Sequence, residues 1–123
     1  MIINLTQHQA SAEQAAVGVI DLSPTFRATL SALLTFDAVP TQAMLQERAD
    51  AIWSLIEDAD HQQETVFMIG GAPFFMSALE SMLIAKGCTP CYAFTQRIST
   101  EVDGVKTSVF KHEGFYTVHQ PAT

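Results

Sequence analysis

Apolar positions follow two rhythms along this chain. Short apolar runs occupy residues 2–5 (with Asn4 inside), 19–22, 66–69 and 91–94, each bounded by polar or glycine-containing stretches. Runs of that length read as strands. The run at 66–69 has no polar break, as a strand buried on both faces requires. Between the runs, apolar residues recur at helical spacing. Phe26, Leu30, Leu33 and Leu34 mark one helix, and Met44, Leu45, Ile52, Leu55, Ile56 and Ala59 another. Phe74, Phe75, Ala78, Leu79, Met82 and Leu83 mark a third, closed by Gly87. Ser11 with Gln14 is a capping-box signal for a short helix ending at Gly18. Ser23-Pro24 starts a helix with a cap and a proline in the first turn.

The tail changes character. Residues 97–102 and 105–111 are strand-like around Asp103-Gly104, the two-residue signature of a tight hairpin. Residues 115–118 read as a last short strand. The predicted order is β-α-β-α-α-β-α-β followed by a hairpin. That order implies one α/β domain over residues 1–123, with a Rossmann-like three-layer fold. Its mostly parallel sheet of about four strands is extended by a C-terminal antiparallel β-hairpin.

Composition narrows the classes. The chain has 123 residues, is 48% hydrophobic and carries a formal charge of −7. It can build a core, and its charge argues against indiscriminate nucleic-acid binding. The opening MIINLTQHQ lacks the basic start of a signal peptide, and no apolar run is long enough to span a bilayer, so a cytoplasmic location is expected. Cys88 and Cys91 form a C-x-x-C, but they follow a helix stop and enter a strand, which inverts the redox context. Buried thiols are the simpler expectation. The four histidines (His8, His61, His112, His119) show no zinc-finger spacing, so neither a metal nor a cofactor is expected.

Ligands of open α/β sheets bind outside the carboxyl ends of the strands. That rule selects Thr6, Gln7 and His8 after the first strand, and Gly70, Gly71 and Ala72 after the third. After the fourth it selects Thr95, Gln96 and Arg97, on the expectation that a loop follows there. A helix starting after Gly71 would present free N–H groups to an anion, and Pro73 suits its first turn. Arg97 would add a charge, and Thr6 and Thr95 hydroxyls. The stretch is neither G-x-G-x-x-G nor a P-loop, and glycines also serve tight turns without any ligand. His8 and Arg97 likewise have purely structural readings.

The stretch GGAPFFM after a buried strand resembles the glycine turn of CRISPR-associated Rossmann-fold (CARF-like) domains. The ending YAFTQR…STEVDGVKTSVFKHEGF is similar to the strand-plus-hairpin of small stand-alone members, and NLTQHQASAEQ to their first strand, loop and helix. Some of those members are ring nucleases, which degrade cyclic oligoadenylate messengers. The resemblance implies binding of a small cyclic oligonucleotide by a homodimer, with metal-independent cleavage by ribose 2′-OH attack. In that scheme His8 and Arg97 are catalytic, and Thr6, Gln7, Gly70, Gly71, Ala72, Thr95 and Gln96 bind ligand. Ala72 and Pro73 depart from the pattern, standing where many such domains carry Ser or Thr and Lys. A binding-only sensor, or an interaction protein using the fold as a scaffold, fits the same residues.

Overall fold

The computed structural model describes residues 1–118. It is mixed α/β. The elements run β1 (Ile2–Asn4), α1 (Ala12–Ala16), β2 (Val19–Asp21), α2 (Pro24–Leu33), α3 (Gln42–Asp58), β3 (Val66–Met68), α4 (Pro73–Ala85), β4 (Thr89–Val102) and β5 (Val105–Thr117). They build a five-stranded sheet in the order β2-β1-β3-β4-β5. The pairings β2–β1, β1–β3 and β3–β4 are parallel, and β4–β5 is antiparallel. The direction of winding therefore reverses between β1 and β3.

Local chemistry explains the helix boundaries. Ser11 and Gln14 form the full capping box of α1. The Thr41 hydroxyl accepts the Met44 N–H at the start of α3. Proline opens both α2 and α4, where a missing N–H costs nothing. Arg48 of α3 donates to the carbonyls of Ala32, Leu33 and Thr35 at 3.3, 2.8 and 2.7 Å. It thus closes the C-terminal end of α2, while its guanidinium lies 4.5 Å from the Phe36 ring centroid.

Strand alternation sorts the core into two clusters. Ile3, Leu5, Phe67 and Ile69 pack with the apolar sides of α2, α3 and α4. Val19, Met68 and Cys91, flanked by Ile2, Ala10, Val66 and Phe115, form the other. Cys88 belongs to the first cluster and Cys91 to the second, and both thiols are free. Burial raises the pKa of each, that of Cys91 to about 11.

One expectation needs correction. No loop follows a short fourth strand: Thr95, Gln96 and Arg97 lie inside β4, and the expected hairpin and last strand are continuous with it. β1, β2 and β3 have 3 residues each, against 14 in β4 and 13 in β5. The ribbon therefore projects roughly 30 Å past the parallel strands at strand rise. Asp103 and Gly104 turn it with φ of 54° and 77°. His119 lies outside the described residues.

Candidate functional site

β1 ends in a buried polar hub. Among the described residues, Asn4 is the one buried polar side chain. Its Nδ2 donates to the His8 carbonyl at 2.8 Å and to Asp21 Oδ1 at 2.7 Å. Its Oδ1 accepts from the Thr6 N–H and hydroxyl at 2.9 and 2.7 Å. Asp21 in turn accepts the Ala10 N–H at 3.0 Å. These bonds fold the segment after β1 back over the sheet end. The Gln7 amide donates to the Ser31 carbonyl and Thr35 hydroxyl, pinning the same segment to α2.

Beside it, β3 runs into the diglycine. Leu5 N–H reaches the Met68 carbonyl and Ile69 N–H the Cys91 carbonyl, both at 2.8 Å. The chain then breaks away at Gly70. Gly71 has φ +148°, a conformation that side chains rarely adopt. A Cβ on Gly70 would instead meet Thr6 Cγ2 at an ordinary 3.5 Å. α4 follows with Ala72 at its N-cap, and no side chain caps it. Among the described residues, the N–H groups of Gly70, Gly71 and Ala72 enter no hydrogen bond.

Between these two segments lies a cleft of ≈ 330 Å³, at the point where the winding reverses. Open α/β sheets take their ligands at that place. Its walls are the 6–9 segment, Gln14, the 68–71 segment, Tyr92 and Ala93. No Lys or Arg lines it. The Tyr92 hydroxyl donates to Glu80 of α4. Burial, then the Glu80 hydrogen bond and charge, push the Tyr92 pKa well up. The phenol thus stays protonated and committed to Glu80.

The structure brings Thr6, Gln7, His8, Gly70 and Gly71 together around the cleft. Ala72 follows immediately at the N-cap of α4. Thr95, Gln96 and Arg97 do not line it. Arg97 stands four residues beyond Ala93 along β4, roughly 13 Å at strand rise, and donates to Ser108 Oγ at 3.1 Å. Thr6 spends its hydroxyl proton within the Asn4 hub, so toward a ligand it can only accept. Gln9, Gln14, Tyr92 and Ala93 are lining residues that the strand-end rule misses. Tyr92 and Ala93 sit inside a strand that continues past the rim. Gln14 already had an assigned task in the capping box, which hid its second position. Among the described residues, no group of three or more His, Cys, Asp or Glu side chains could hold a metal ion, and no helix is long and apolar enough to cross a membrane.

These features define a mixed α/β chain with an uncharged, amide-rich cleft at its switch point. The model described as "Uncharacterized protein MJ1673 family" matches residues 1–116, and the chain belongs to that family. No curated protein and no solved structure matches it.

Proposed function

We propose that this protein is a binding domain for a small nucleotide-type anion, held in the switch-point cleft. The observation that carries the reading is the row of unengaged N–H groups at Gly70, Gly71 and Ala72, opening α4 beside the cleft. Such groups favour a phosphate through direct donation and through the helix dipole. The Gln9 amide supplies a donor and an acceptor suited to base or sugar edges, and Gln14, whose oxygen caps α1, supplies its N–H donors. Cyclic oligoadenylate is the ligand that the resemblance to CARF-like domains implies. The Rossmann-like three-layer arrangement belongs to the same reading. Right-handed crossovers would put α1 on the face opposite α2, α3 and α4. A cytoplasmic location goes with it, and the two free thiols support that.

A second reading adds cleavage, because the exposed His8 lines the cleft. The ligand's ribose 2′-OH would attack the adjacent phosphorus and lose its proton to His8. The P–O5′ bond would break, leaving a 2′,3′-cyclic phosphate, and the departing 5′-oxygen would take a proton back from the His8 imidazolium or from water. Arg97 of the same chain takes no part in either reading.

Calorimetric titration with cyclic tetra- and hexa-adenylate, in the presence of chelator, tests the proposal. Saturable binding is expected, and Gly70→Val should abolish it while the circular dichroism spectrum is kept. Linear products with 2′,3′-cyclic ends, lost in His8→Ala, would establish cleavage. Absence of binding by both rings would remove cyclic oligoadenylate as the ligand. Undiminished binding by Gly70→Val would remove the cleft.

A further inference from the structure

The ribbon formed by β4 and β5 leaves the body with both faces exposed among the described residues, and one of them is striped with apolar side chains. Alternation along β4 and the register, which shifts by one residue at Glu113 between the Phe94 and Thr95 pairs, place five cross-strand layers on that face: Phe94/Gly114, Gln96/Lys111, Ile98/Val109, Thr100/Thr107 and Val102/Val105. It continues the side of the sheet on which Tyr92 packs with α4. Beyond the helices, nothing among the described residues covers it. Phe94, Val102, Val105, Val109 and the neighbouring Tyr116 are each more than half exposed. Together with the partly buried Ile98 they offer on the order of 600 Å² of apolar surface, at the upper limit for a monomer and most of one side of a standard interface. A two-stranded ribbon of this length is also marginal in water on its own.

We propose that this face docks on the same face of a second copy of the chain, antiparallel, about a two-fold axis through the Ile98/Val109 layer. The layer sequence itself selects a second copy over a foreign partner, because it is a palindrome. Rotation about the Ile98/Val109 layer sets Val102/Val105 of one copy on Phe94/Gly114 of the other, apolar on apolar. It sets Thr100/Thr107 on Gln96/Lys111, polar on polar. The shape agrees as well. Around Gly114 lies a hollow of ≈ 310 Å³ lined by Phe94, Glu113, Gly114, Phe115 and Tyr116. Apart from Gly114 itself and its two chain neighbours, no described heavy atom lies within 4 Å of the place a Gly114 Cβ would occupy. The hollow receives the valine tip of the other ribbon, four residues from the axis on the opposite side.

Charge is unevenly placed. The chain carries −7 from 6 basic and 13 acidic residues. Arg97, Lys106 and Lys111 balance Glu101, Asp103 and Glu113 on the ribbon, so the whole net charge sits on the body. Two bodies repel, while the docking layers bring one charge per copy, Lys111, which lies roughly 13 Å along the ribbon from its own copy. The interface stands independently of what fills the cleft.

Sedimentation velocity of the intact chain over a wide concentration range tests it. A species near twice 13.4 kDa is expected. Val109→Lys should raise the dissociation constant about 100-fold or more, since the charge is buried twice at the axis. Phe110→Lys, on the opposite ribbon face, should leave it unchanged. Both positions are exposed in the single chain, so circular dichroism should match wild type for both. Under mild oxidant, Val109→Cys should cross-link to its own copy. Val105→Cys should not, because its two copies lie roughly 26 Å apart in this arrangement, beyond the reach of a disulfide. A single-chain mass at every concentration would overturn the proposal. So would equal effects of the two lysines, or equal cross-linking of the two cysteines.

Discussion

Gly71 and Gly70 are neighbours with different reasons for being glycine. Gly71 has φ +148°, so any Cβ there is strained whatever space surrounds it. Gly70 has no such angle, and its added Cβ would touch only the Thr6 methyl at 3.5 Å. Gly71→Ala should therefore destabilise the fold by ~1–3 kcal/mol. Gly70→Ala should change stability by less than about 1 kcal/mol. Urea denaturation of both variants checks this, and equal losses would show that the two positions share one constraint. The sequence marked the pair as a corner but could not divide the labour, since the division lies in one backbone angle. Asn4 shows the same limit. A polar residue inside an apolar run is visible in the sequence. Its four hydrogen bonds go to Thr6, His8 and Asp21, and the one to Asp21 is visible only once β1 and β2 pair.

The start of α4 is the element on which the ligand proposal rests. Ala72 occupies the N-cap with φ −58° and ψ 124°, and no side chain answers the first N–H groups. A carboxylate there would accept those N–H groups and complement the dipole, stabilising the helix by ~0.5–2 kcal/mol. It would also occupy the place of a bound anion. Ala72→Asp should therefore raise the melting temperature of the free protein and weaken cyclic oligoadenylate binding at least tenfold. Thermal melts with and without ligand separate the two effects. Better stability with unchanged affinity would show that the anion lies elsewhere. Helices like α4 were legible because each has local signals: proline in the first turn, periodic apolar residues, glycine beyond the end. α3 was equally clear, but the role of Arg48 was not. Its three carbonyl partners belong to the end of α2 and the residues after it, a tertiary contact without a local trace. β4 misled for a related reason. Thr95, Gln96 and Arg97 are polar, and polarity after a short apolar run reads as a loop. A ribbon that leaves the body is solvated around those residues, so its strands need not be apolar there.

At the scale of the molecule, charge and cleft are in tension. The body carries the entire −7, and no Lys or Arg lines the cleft. An anion would enter against a repulsive field and be held by N–H dipoles and amides. This differs from sites built on lysine and arginine, whose attraction salt screens away. Added salt here screens repulsion from the body as well as any attraction within the cleft. Affinity for cyclic tetra-adenylate should therefore stay within about threefold, or rise, between low and physiological ionic strength. Titration at two salt concentrations measures it. A steep loss with salt would mean that a cation reaches the ligand after all. Within the proposed dimer, the second copy's ribbon tip brings Lys106 opposite Thr95, roughly 7 Å along the strand from Ala93, whereas its Arg97 falls opposite Ser99, roughly 20 Å away. Repeating the titration with Lys106→Ala then decides the matter. A flattened salt dependence would bring Lys106 of the second copy to the site, and an unchanged one would leave the cleft to its backbone.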